Sequence, residues 1–388
     1  MKRGGGRRGR WLALFLAAGV AGWAGWRDNS SSDPSRRPDD AGPPGPQAAS
    51  AAAPRTALWG KPAVGPAGHA DEAPDAPVAA AVASEPGETM EICGHGRIST
   101  REFERSVPIV MAGARPPAWA VELEQRSQVV INQLATRLSA GTALQQTAAR
   151  VLKADPEGAA LLAFQSGDAA AYRLAFMACG AGHRPDSPQC QRLTVQGWAD
   201  RDPADARPWL ELMAAATRRR DEPAASLALE QVLQRDKRSP TAILVPVVAG
   251  VVTATDDPAG LGLAMVEVIG REAALPDGVY GTGGFCSAER VGDAVRRAQC
   301  ARLVRWQFKH ADTSMDASLA VSLADRLGLP SDARPYTREQ LGRGSTRLLE
   351  ASLDVLGNDC GSLARTGDWV VKAAQSTELS RVLEAAAR

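Results

Sequence analysis

The chain has 388 residues, with 45 Lys plus Arg against 44 Asp plus Glu, 44% hydrophobic and 5% aromatic. No cationic excess is left to neutralise a run of phosphates, so nucleic acid is excluded as the expected partner, and the composition is neither that of a disordered chain nor that of a polytopic membrane protein. Alanine dominates while Phe and Tyr number six and three, a bias that favours helices over a sheet-built core.

The first ten residues carry Lys2, Arg3, Arg7, Arg8 and Arg10 without an acid, and Trp11 to Trp26 then runs without a charge. A basic stretch before an apolar one is the pattern of an export signal or signal-anchor. As a helix the apolar run would span about 24 Å against a hydrocarbon layer of roughly 30 Å, so length does not decide between the two. Trp23 and Trp26 decide it, because their rings favour the headgroup level and bulky residues make a poor cleavage site. The expectation is a cytoplasmic tail at 1–10, an uncleaved anchor at 11–26 and export of everything after it. Eleven of the 26 prolines lie between Pro34 and Pro86 among Ala, Ser, Gly and Asp, so 27–88 reads as a disordered tether. Ala and Arg usage beside such an anchor places the protein in an inner membrane, its 89–388 domain in a periplasm.

All six cysteines follow the tether, an even number on the exported side, as a disulfide set requires. Cys179 and Cys190 bracket a loop in which Ser187-Pro188 reads as an N-cap followed by Pro at the first helical position. Cys286 and Cys300 would stand about 21 Å apart along one unbroken helix, so a break at Gly292-Asp293 is needed to pair them. Cys93 and Cys360 remain, and pairing them would tie the first segment of the domain to its last. A competing reading makes Cys179, His183 and Cys190 metal ligands, but the oxidising compartment favours the bridge.

From Pro117 onward the pattern is helical almost throughout. Val130, Leu134 and Leu138 recur four apart before Gly141 ends the segment. Further helices are expected at 143–153, 158–165, 168–178, 188–200, 206–219, 223–235, 240–252 and 258–274. After a Gly-rich loop at 277–284 come 287–291, 294–309, 313–327, 337–356 and 361–386, the last interrupted near Gly367. Short connections imply antiparallel neighbours.

Pro203 to Pro240 reads as two amphipathic helices, with Trp209 and Leu212 on the first and Ala225, Leu229 and Val232 on the second. This spacing resembles a tetratricopeptide repeat. The resemblance implies Trp209 at the early aromatic position, Ala225 at the small one and Pro240 as the closing proline; Met213 and Ala216 depart from the motif, so the repeat is degenerate. What it implies for the whole is an all-α domain of stacked antiparallel helix pairs, TPR-like or α-solenoid-like, stapled by disulfides behind a signal-anchor.

Local signatures of catalysis are missing: no GxSxG, HExxH, GxxxxGK[ST] or SxxK occurs. The topology resembles that of type II glycosyltransferases, and Asp200-Arg201-Asp202 matches their DxD pattern, but a turn and helix start before Pro203 explain it better. No catalytic residue, cofactor or metal is therefore expected. The function expected is that of a non-catalytic, membrane-anchored scaffold for a protein or peptide of the cell envelope, with a lumenal enzyme or a structural assembly subunit as the alternatives.

Overall fold

The computed structural model describes residues 88–111, 116–181, 187–275 and 281–388. The anchor expected at 11–26 and the tether, apart from Glu88, lie outside these residues. Among the described residues no helix is long and apolar enough to cross a membrane. Two compact units divide at Glu122 and Leu123.

The first unit holds the one β-sheet among the described residues. Strands β1 (Thr89–Ile92) and β2 (Gly96–Ser99) pair antiparallel, Thr89 opposite Ser99 and Ile92 opposite Gly96. The tight turn takes Gly94 at φ +83° and Gly96 at φ +94°, a backbone region glycine enters without steric cost. Ile92 and Ile98 are buried; four-residue strands carry too few alternations to announce themselves in the sequence. Thr100 then donates both its N–H and its Oγ1–H to the Glu88 carbonyl, each at 2.8 Å, at the start of α1 (Thr100–Met111). Phe103 stacks on Trp119 at 5.2 Å between ring centroids.

The second unit is helical. Helix α2 (Ala118–Ser139) buries Val130, Ile131, Leu134, Ala135 and Leu138, the stripe its spacing predicts. Each Leu placed there contributes about 1.5–3 kcal/mol. The stripe packs with α3 (Ala143–Leu152), α4 (Pro156–Ser166), α5 (Ala169–Ala181), α10 (Leu244–Ala249) and α11 (Pro258–Ala273) into a first core. A second core joins α8 (Arg207–Arg218), α9 (Glu222–Leu233), α12 (Gly281–Phe285), α13 (Ala294–His310) and α14 (Ser314–Leu327). A third, smaller one joins α14 to α15 (Arg338–Val355) and α17 (Glu378–Ala387).

Several expected elements differ, each for a local reason. The helix expected at 188–200 is two, α6 (Pro188–Gln191) and α7 (Val195–Arg201), because Thr194 Oγ1 accepts from Gly197 N at 2.9 Å and starts a new helix. The helix expected at 240–252 shrinks to α10, whose Leu244 and Val245 N–H groups are taken at 2.8 and 2.9 Å by the Glu272 carboxylate of α11. That carboxylate does for α10 what a local N-cap would do. In place of the 287–291 helix there is a 3-10 turn, Arg290–Gly292, after which Asp293 caps α13 by accepting from Arg296 N at 2.8 Å. No break occurs near Gly367. Helix α16 (Cys360–Ala373) runs through it, and the interruption falls before Thr377, which caps α17.

Gly367 serves a close crossing instead. A Cβ on Gly367 would lie 2.9 Å from Gly262 N, and one on Gly262 would lie 1.9 Å from the Leu363 carbonyl oxygen, so α11 and α16 touch backbone to backbone. Gly281, expected in a loop, begins α12 for the same reason, since its Cβ would strike the Ala214 Cβ at 2.1 Å.

In α8 the buried residues are Arg207, Pro208, Leu210, Met213, Ala214 and Ala216. Trp209 and Leu212, assigned to the packing face from the sequence, stand half-buried at its margin, where the Arg235 guanidinium lies 4.7 Å from the Trp209 ring. Ala225, Leu229 and Val232 of α9 are fully buried as their spacing predicts, while Pro240 is exposed in a loop.

Candidate interaction surface

Helix α4 reads PEGAALLAFQS, with Glu157 as its sole charge. A helix apolar all round is ordinarily buried on every side. Here the small residues go inward: Ala159, Ala160 and Ala163 are fully buried. Leu161 and Phe164 are left 38% and 37% exposed. They are three apart, hence neighbours on one face. The usual order, large apolar residues inside and small ones indifferent, is inverted.

Two arginines cover the Phe164 ring. The Arg192 guanidinium carbon lies 3.9 Å from its centroid, and that of Arg201 lies 5.5 Å from it and 4.2 Å from the centroid of Tyr172. Each has a structural cause. Arg192 closes α6, and the Cys179–Cys190 disulfide, Cα to Cα 5.5 Å, fixes α6 to the end of α5 with both sulfurs within 3.9 Å of the Pro156 carbonyl that opens α4. Arg201 closes α7 and donates to the Gly197 carbonyl at 2.9 Å. The Tyr172 hydroxyl accepts from Thr194 N at 2.9 Å, holding the turn between α6 and α7 against α5. Such a bridge contributes about 2–4 kcal/mol by restricting the unfolded chain. Here it also sets where a cation stands.

One cluster of charge elsewhere is closed on itself. Arg238 Nη2 lies 2.7 Å from Asp316 and Nη1 lies 3.4 Å from Asp312; the Arg238 and Asp316 side chains are nearly inaccessible and that of Asp312 is largely buried. Arg207 Nη2 donates to Thr241 Oγ1 at 2.5 Å and lies 3.8 Å from Asp312, and Thr241 Oγ1 donates to Asp312 at 2.7 Å. Burial opposes the charge of Asp312, yet Arg238 and Arg207 hold it below the usual carboxylate range. Burial pushes Asp316 up to about 6, against the pull of Arg238. It also raises Tyr336, which faces Asp316. The node joins the starts of α8 and α14 to the loop after α9. It is a structural knot, since burial leaves it no access to a ligand. An open polar depression of about 510 Å³ lies by Asn132, Gln133, Thr136 and Thr255; its charged members Arg137 and Asp256 pair with each other at 2.6 Å.

The residues singled out from the sequence fall as follows. Cys179 and Cys190 are bonded to each other, so neither thiol serves a metal, and His183 lies outside the described residues. Cys286 and Cys300 are bonded, Cα to Cα 5.8 Å, both fully buried. Cys93 and Cys360 are each disulfide-bonded, and no cysteine is free. Asp200 accepts from Gln196 at 2.9 Å, while Asp202 caps α7 and pairs with Lys237, so the two acids of the DxD pattern serve helix end and loop. Among the described residues no His, Cys, Asp and Glu side chains gather as a metal site. Phe164, Arg192 and Arg201 were not singled out as a surface by the sequence; the lone charge in an apolar α4 is the signal that would have found them. Comparison of the chain with protein-family models, curated proteins and solved structures finds no match.

Proposed function

We propose that this protein is a non-catalytic scaffold of the cell envelope. In this reading it is anchored in the inner membrane through residues 11–26, and its helical, TPR-like domain holds a protein partner in the periplasm. The observation that carries the reading is the inverted helix α4, where Leu161 and Phe164 are exposed, the Phe164 ring beneath Arg192 and Arg201, while alanines fill the core. Aromatic residues and arginine are what protein interfaces enrich and where their binding energy concentrates. The Cys179–Cys190 and Cys286–Cys300 disulfides favour the exported compartment, where such bonds persist. The packing of α8 on α9 through Met213, Ala225 and Leu229 supports the repeat-like pairing.

The test places a photo-crosslinking amino acid at position 161 of the full-length chain in cells. A discrete adduct that fails to form with the crosslinker at exposed Glu339, on α15, is expected. No adduct at position 161 overturns the reading.

A further inference from the structure

We propose that the Leu161–Phe164 face with Arg192 and Arg201 receives a protein segment in which a carboxylate side chain stands next to a large apolar one. This deepens the scaffold reading and rests on it.

The cations of this face lack the carboxylate that several other arginines of the domain have. Arg150 pairs with Asp155, Arg290 and Arg296 with Glu222, Arg302 with Glu230, and Arg334 and Arg338 with Asp325. Among the described residues no carboxylate pairs with Arg192 or Arg201. Both guanidinium carbons lie within 5.5 Å of one ring centroid, so the two cations stand inside a Debye length of about 10 Å and their potentials add. A guanidinium has five N–H donors in its plane, and stacking on an aromatic face leaves that edge for a carboxylate. Arg192 Nη1 donates to Gln189 at 3.0 Å and Arg201 Nη1 to the Gly197 carbonyl at 2.9 Å, which leaves donors of both for an incoming acid.

The apolar half of the specificity comes from Leu161, which is exposed one turn from Phe164 on the same face of α4. Glu157 lies four residues before Leu161 and therefore on the same side of α4, so negative charge closes that end and the partner's acid is directed to the arginines. A phosphate alone would satisfy the cations and leave Leu161 uncovered; an acid beside an apolar side chain matches both.

The experiment measures fluorescence anisotropy of a short fluorescein-labelled peptide built from Glu and Leu, titrated with the full-length protein in detergent. A second peptide carries Gln in place of every Glu. The expected result is binding of the Glu peptide that weakens with salt and falls roughly tenfold in R192Q/R201Q, two exposed ion pairs being worth that much together. Equal binding of both peptides, no binding of the Glu peptide, or equal binding by the variant overturns the proposal. R192Q alone, at an exposed position, keeps the test open where the double variant fails to fold. The position-161 adduct separates the two claims. An adduct that forms equally well in R192Q/R201Q overturns the acidic partner and leaves the scaffold standing, whereas absence of any adduct removes both.

Discussion

Arginine is used in two opposite ways in this domain. At the α8–α14 node Arg238 is sealed from water against Asp312 and Asp316. At the ends of α6 and α7, Arg192 lies on the Phe164 ring of α4 and Arg201 on the Tyr172 ring of α5, with no carboxylate pairing with either among the described residues. The first arrangement is complete and holds elements together; the second has spare donors at the surface. The lesson is that a cation's partner, more than its burial, separates a charge completed within the fold from one left open at the surface.

The largest effect that would break this contrast is at the node. Arg238→Met leaves two carboxylates facing each other out of water, at a cost of about 3–5 kcal/mol in a denaturant titration at neutral pH. That cost should shrink on acidification, as the pair takes up a proton; a loss that is the same at pH 5 and 8 would show that the node is held by packing alone.

Next comes pH. Asp316 binds its proton more tightly folded than unfolded, because burial lifts it from 3.8 to about 6. Its contribution is therefore full below about pH 4 and is lost as pH rises through about 6, on the order of 3 kcal/mol in all. Arg238, Asp312 and Tyr336 are the groups that face it. Burial holds His310 below its ordinary value and works in the opposite direction over the same range, so melting temperatures from pH 4.5 to 7.5 should fall more, or rise less, in the native protein than in Asp316→Asn. A native profile parallel to that of Asp316→Asn would contradict the assignment.

The smallest stability effect is expected at the surface. R192Q/R201Q should cost about 1 kcal/mol or less in the same titration, the scale of exposed cation–π contacts. A loss as large as that of Arg238→Met would make these arginines part of the fold and erase the contrast.

Much of the helical order was legible because the sequence punctuates it. Asp155-Pro156 and Ser187-Pro188 supply caps and first-turn prolines, and Asp293 caps α13 where its spacing puts it. What escaped was set by distant partners. Gly367 reads as a breaker, yet its lack of a side chain is used by α11, and the start of α10 depends on Glu272 from another helix. Trp209 looks like a core anchor by size, but Leu210 and Met213 take the core and leave the ring to Arg235. Of the candidate surface, Cys179 and Cys190 were readable; the arginine they position was not, since its ring partner sits on a different helix.

The Cys179–Cys190 and Cys286–Cys300 bridges close loops of 11 and 14 residues' separation. Hydrolysis of a peptide bond inside either loop therefore yields fragments that stay covalently joined. A protease could clip the chain at Arg290, Arg296 or Arg297 without releasing anything. Such a molecule runs as one species on a gel without thiol and as separate pieces once thiol is added, so an intact band from a protease-rich compartment does not certify an intact backbone.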